Sequence, residues 1–157
     1  MTTTWRVLSS GAFVLTAAVG AAAQQPAAPP APAQPLTTAK LVGHDAVAGC
    51  SKSSSLVNTT EYVVSCSNRT GPGFVEIHAK ETDVFYVLDG AATFVTGGTA
   101  VNVKADTPVQ SRASDITGGV AHHLVKGDVI LVPAGQPHWF KEVPTSVSYF
   151  VVKVVKP

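Results

Sequence analysis

The chain has 157 residues, eleven Lys and Arg against ten Asp and Glu, and a formal net charge of +1. That balance argues against nucleic acid or an anionic membrane as the partner. With 45% hydrophobic residues and two cysteines, the composition is that of a globular chain able to build a core and holding at most one disulfide.

Residues 1–23 read as a secretory signal peptide. Arg6 supplies the positive start, Val7 to Ala22 is apolar and rich in small residues, and Ala21-Ala22-Ala23 fits a small-residue cleavage site. The stretch is short and Ala/Gly-rich for a membrane span. The expectation is therefore bacterial export to a periplasmic or secreted location, with no membrane attachment after cleavage. Residues 24–36 form an Ala/Pro-rich linker, with five prolines between Gln24 and Pro35. Such a segment buries little and stays extended. Cleavage after residue 23 removes only Arg6 among the charged residues, leaving ten basic and ten acidic side chains.

Residues 37–157 are the size of one domain, and no internal repeat divides them. Ala39 to Cys50 leaves room for one short turn of helix, and strand signals follow. Runs rich in β-branched and aromatic residues cover 61–66, 73–79, 84–88, 91–96, 122–125, 129–132 and 146–155. Cys50 and Cys66, an even pair in an exported chain, are expected to form a disulfide. Its closed loop would contribute about 3 kcal/mol through the unfolded state. The segment 97–119, rich in Gly, Thr, Ser and Asp, has no clear strand period and reads as a long loop, either over a binding site or at a dimer surface. The apolar run Val147–Val155 fits a core strand, with an interface strand of a homodimer as the alternative.

One motif stands out. In Gly127-Asp-Val-Ile-Leu-Val-Pro133-Ala-Gly135-Gln-Pro-His138, a buried strand runs into a Pro/Gly turn that delivers a histidine. Pro133 fixes its own φ and Gly135 is free to take a positive one, so backbone geometry holds His138 as a metal ligand must be held. Upstream lies Glu76-x-His78-x4-Asp83-x6-Gly90. Residues two apart in a strand face one side, so Glu76 and His78 point together.

These two motifs resemble the paired signatures of the cupins. The second signature, Gly-x5-Pro-x-Gly-x2-His, is met at every position up to His138, with Glu142 where the family often has Asn. The first, commonly Gly-x5-His-x-His-x4-Glu-x6-Gly, keeps its spacing, but Glu76 stands for the first histidine, Asp83 for the glutamate, and Thr70 for the leading glycine. The resemblance spans residues 70–142. It implies an all-β, double-stranded β-helix (jelly-roll) barrel with an N-terminal arm, holding one divalent transition metal at Glu76, His78, Asp83 and His138. Carboxylate and imidazole together suit Mn, Fe, Ni or Zn, and the extra carboxylate leans toward the harder ions. Asp83 either ligates directly or supports the ligands from behind. Glu81 is the rival carboxylate, and Glu76 has surface pairing with Lys80 as its competing role.

Phe85, His122 and Phe140 are candidates to line a pocket beside the metal, although core filling is the competing role of the aromatics. His123 is expected to face outward, and His44 to be a solvated arm residue. The resemblance implies a metal-binding cupin acting on a small molecule, with dioxygenase- or isomerase-type chemistry. The alternatives are a non-catalytic periplasmic module that binds a small molecule or metal, and a purely structural or dimer-forming barrel.

Overall fold

A computed structural model describes residues 32–48 and 54–156. The proposed signal peptide, most of the linker and Cys50 lie outside the described residues. In chain order the elements are α1 (His44–Ala48), β1 (Ser54–Asn58), β2 (Tyr62–Arg69), β3 (Val75–His78), β4 (Glu81–Thr96), β5 (Thr99–Val101), β6 (Lys104–Thr107), β7 (Gln110–Ala113), β8 (Asp115–Thr117), β9 (Val120–Val125), β10 (Val129–Val132), β11 (His138–Glu142) and β12 (Val147–Val155).

Ten of the strands pair antiparallel into two sheets that share one long strand, and β5 and β8 form a separate antiparallel pair. Residues 81–90 of β4 pair with β12 on one side, and residues 83–86 with β10 on the other. Residues 91–96 change partners to β9, and residues 93–96 to β11. The first sheet therefore runs β1-β2-β12-β4-β10 and the second β9-β4-β11-β3-β7-β6. This is the jelly-roll arrangement of a double-stranded β-helix. The changeover falls at Gly90, whose φ is +80°. A Cβ there would also run into the carbonyl oxygen of Ser146, so both backbone and space require glycine.

An aromatic core fills the space between the sheets. Phe85, Phe94, Phe140 and Tyr149 are all buried, with Phe94 and Phe140 centroids 4.6 Å apart and Phe140 stacked on Tyr149 at 4.8 Å. Their edge-to-face and stacked contacts join Val87, Val132, Val147 and Val151 in one cluster. A second, smaller cluster joins Val75 and Val95 to Ala113 and Ile116.

Three expectations change. The segment 97–119 is not a loop: it forms β5 to β8, with β7 extending the second sheet beyond β3 and β5 pairing β8. Its strands are three or four residues long, too short for a period to show among Thr, Ser and Asp, and tertiary pairing overrides their weak propensity. The two runs read at 84–88 and 91–96 are one continuous strand, because Gly90 carries the ladder between sheets instead of ending it. A further strand, β1, lies within the presumed disulfide loop and pairs with β2. The run 147–155 is the core strand β12, hydrogen-bonded on both edges. Cys66 is wholly buried in β2; its expected bridge reaches a cysteine outside the described residues. The arm is tied to the barrel through a Gln34–Thr59 bridge and a Leu36 N–H donated to Glu61 Oε2 at 3.3 Å.

Gly90→Ala should lose about 2 kcal/mol or more, since it adds a clash to the left-handed strain. Gly127→Ala, at φ +93° but with open space around it, should lose only about 1–2 kcal/mol. Denaturant unfolding of the two variants reads the difference.

Candidate metal centre

Four elements converge on one point. The Pro133–Gln136 turn is closed by the Gln136 N–H donated to the Pro133 carbonyl at 3.1 Å, and the Gly135 N–H donates to the His78 carbonyl at 2.8 Å. Gly135, at φ +85°, thus bolts the turn preceding β11 onto the end of β3. Across that junction His138 pairs with Glu76. Glu76, His78 and His138 each offer a ligand atom within 4.8 Å of the others.

Asp83 enters from β4, only 1% exposed. Its Oδ2 lies 3.5 Å from His78 Nε2 and 3.4 Å from His138 Nε2. The far nitrogen of each ring is also partnered. His138 Nδ1 meets the Gln136 carbonyl at 3.2 Å, and His78 Nδ1 faces Glu81 Oε2 at 3.4 Å. With Nδ1–H on the Gln136 oxygen, His138 turns its Nε2 lone pair inward, the tautomer a metal ligand needs. That Nε2 is the one buried side-chain polar atom without a hydrogen bond among the described residues. An orphaned inward acceptor beside a second imidazole and two carboxylates fits a divalent transition metal.

The electrostatics agree. Burial pushes the His78 imidazolium pKa down to about 4, helped by Lys153 and His138 and opposed by Glu81. Burial likewise lowers that of His138, against the Gln136 carbonyl and Glu76. Both rings are therefore neutral donors at neutral pH. Burial raises the Asp83 carboxyl to about 6, outweighing the attraction of Lys153.

The surroundings separate the remaining candidates. A cavity of about 370 Å³ opens beside the cluster, lined by Glu76, His78, Asp83 and Phe85, by serines of β1 and β2, and by Gln110, Tyr149 and Lys153. Phe85 thus lines the cavity. Phe140 does not: it lies beneath, packed on Phe94 and Tyr149 and covered by the Arg69 guanidinium at 5.1 Å. His122 does not line it either; its Nε2 meets Thr96 Oγ1 at 2.9 Å, while His123 is exposed. Glu81, the rival carboxylate, faces His78 Nδ1 and Lys153, and with His78 and Asp83 it forms a second group whose ligand atoms lie within 4.8 Å of one another. Lys153 escaped the sequence reading altogether. Its Nζ lies 2.7 Å from Glu81 Oε2 and 3.1 Å from Asp83 Oδ1. Its only sequence signal is a lone cation in the apolar run Val147–Val155.

The shifts set the pH dependence of stability. An imidazole with a depressed native pKa takes up its proton first in the unfolded chain, so stability falls as pH drops from 6.5 toward about 4. Asp83 works in reverse: its native carboxyl binds a proton near pH 6 and its unfolded one near 3.8, so the fold gains on acidification between those values. Two imidazoles against one carboxyl leave a net loss. The melting temperature in chelator should fall between pH 6.5 and about 4, and more steeply in Asp83→Asn, which lacks the offsetting gain.

No curated protein matches the sequence. Among solved structures, it is similar to the DMSP lyase DddQ from Ruegeria pomeroyi DSS-3, at 15% identity over 61% of this chain and TM-score 0.44, spanning only 39% of the lyase chain. It is also similar to a cupin superfamily protein from Desulfitobacterium hafniense DCB-2, at 17% identity over 66% of this chain and 76% of that one, TM-score 0.46. An RmlC-like cupin family protein with a double-stranded β-helix fold from Methanocaldococcus jannaschii gives 15% identity over 67% and 80% of the two chains, TM-score 0.46. The cupin family model matches residues 50–157, more than half of the chain, and this protein belongs to the cupin family.

Proposed function

We propose that this protein is an exported, metal-dependent cupin acting on a small molecule in the cavity beside Glu76, His78, Asp83 and His138. The observation that carries the reading is His138 Nε2, buried without a hydrogen bond and facing Asp83 Oδ2, which His78 Nε2 also faces. His78, His138 and Glu76 would hold the ion, with Asp83 facing the same point. A bound divalent metal would supply Lewis-acid or oxygen-carrying chemistry, of the dioxygenase or isomerase type.

The chain's own residues supply the rest. Phe85 lies 5.9 Å from the His138 ring and Phe94 6.0 Å, which keeps water from one side of the cluster and strengthens electrostatic contacts there. Ser65 and Gln110, the latter directly across the β3–β7 ladder from His78, also line the cavity and are polar groups able to orient a ligand. Glu76, half-buried and facing the cavity, is the carboxylate placed to accept a proton from a ligand if Asp83 completes the ligand set in its place.

A non-catalytic binding module is the second reading. It is favoured by the lining residues outside the ligand set: serines, Cys66, Gln110, Tyr149, apolar groups and Lys153, whose ammonium is engaged by Glu81 and Asp83, with no separate acid–base pair among them. Export rests on residues 1–23 alone; within the described residues, no helix is long and apolar enough to cross a membrane.

Elemental mass spectrometry on protein purified without a histidine tag should find close to one divalent ion per chain. His78→Ala and His138→Ala should each retain less than a tenth of it while remaining folded. Wild-type protein empty after reconstitution with Mn(II), Fe(II), Ni(II) and Zn(II) would remove the metal from the account. Turnover lost in His138→Ala marks an enzyme, and ligand affinity lost with no turnover in the wild type marks a binding module.

A further inference from the structure

Lys153 has no place in the ligand set, yet it sits inside the cluster. It stands directly across from Asp83 in the β12–β4 ladder, so the pairing is built into strand register and not into a flexible surface contact. Its Nζ bridges two carboxylates, Glu81 Oε2 at 2.7 Å and Asp83 Oδ1 at 3.1 Å. Asp83 Oδ1 takes the shorter contact with Lys153, and Oδ2, 3.4 Å from the same ammonium, also faces both histidines. Glu81 in turn reaches His78 Nδ1. One ammonium group thus positions the carboxylate that faces the metal point and the carboxylate behind one of the ligating rings.

The charges make the arrangement specific. Glu76, Glu81 and Asp83 carry three negative charges when ionised, and Lys153 returns one positive charge. With neutral imidazoles, the cluster is left with the charge of opposite sign and equal size to a divalent cation.

We propose that Lys153 is the resident counter-cation of this site, holding Asp83 and Glu81 in the metal-free protein and lowering the affinity for an incoming ion to the level set by the remaining charge. The inference rests on the metal reading above for its second half and stands independently for its first. Lys153 is a positioning residue: removing it uncovers a buried carboxylate in the metal-free protein, and the same excess negative charge then attracts a cation more strongly.

The test uses wild-type protein, Lys153→Met, Lys153→Arg and the double variant Lys153→Met/Asp83→Asn, with melting temperatures in chelator and Mn(II) dissociation constants from calorimetric titration. Lys153→Met should melt lower in chelator yet bind Mn(II) about tenfold tighter or more. Lys153→Arg, which keeps the charge, should stay close to wild type in both. The double variant should regain much of the lost melting temperature, because its buried carboxylate is gone. Mn(II) affinity unchanged or weakened in Lys153→Met, or a melting loss that Asp83→Asn does not restore, overturns the proposal. Should wild-type protein bind no Mn(II), the metal reading falls, and rescue or its failure in chelator still decides the counter-cation role.

Discussion

Strand β4 is the constraint on which the rest depends. It carries the ladder of both sheets, with β10 and β12 against its first half and β9 and β11 against its second. The alternation of Asp83, Phe85 and Val87, all buried, sets which residues face the interior of the first sheet. Beyond Gly90 the same strand presents Phe94 to the same core. A one-residue slip would turn Asp83 out and Val84 in. The carboxylate, the aromatic floor and the change of sheet are therefore consequences of one register.

Placing a carboxylate and two imidazoles in that interior is costly, since buried polar groups need partners. Three of the needed contacts come from strand geometry. The β12 register places Lys153 opposite Asp83, the Pro133 turn places the Gln136 carbonyl on His138, and β3 ends close enough to β4 for Glu81 to reach His78. Among the described residues, the one buried side-chain polar atom left without a hydrogen bond is His138 Nε2. A fold that satisfies each neighbour and leaves one inward lone pair open is suited to receiving a cation there, more than to a polar core that serves stability alone.

Much of this was legible in the residues. Gly127 to His138 announces a buried strand, a turn and a delivered histidine; the structure builds β10, the Pro133–Gln136 turn and the first residue of β11. The strand β10 is not buried, however, since Val129 and Leu131 are exposed and only Val132 is fully covered. The two-residue spacing of Glu76 and His78 is local and survives folding. What could not be read is nonlocal. Lys153 meets Asp83 across 70 positions, and only the β4–β12 register makes them neighbours. Glu81 breaks the motif spacing to Gly90, yet it reaches His78 Nδ1, because spacing says nothing about which ring nitrogen a carboxylate will face. Phe140 shares the inward side of β11 with His138, but aromatic packing from β4 and β12 closes over it. His122 looked inward from its alternation with Leu124; Thr96 across the ladder takes its polar end.

In the proposed site two imidazole nitrogens and carboxylate oxygen converge on one ion. X-ray absorption spectroscopy of the Mn(II)- or Zn(II)-loaded protein tests it most directly, because imidazole rings leave multiple-scattering features that carboxylates and water do not. The expected spectrum is a first shell with two imidazole nitrogens and carboxylate oxygen, with one ring's features lost in His138→Ala. A shell of oxygen alone, unchanged in His138→Ala, would place the ion elsewhere and contradict it.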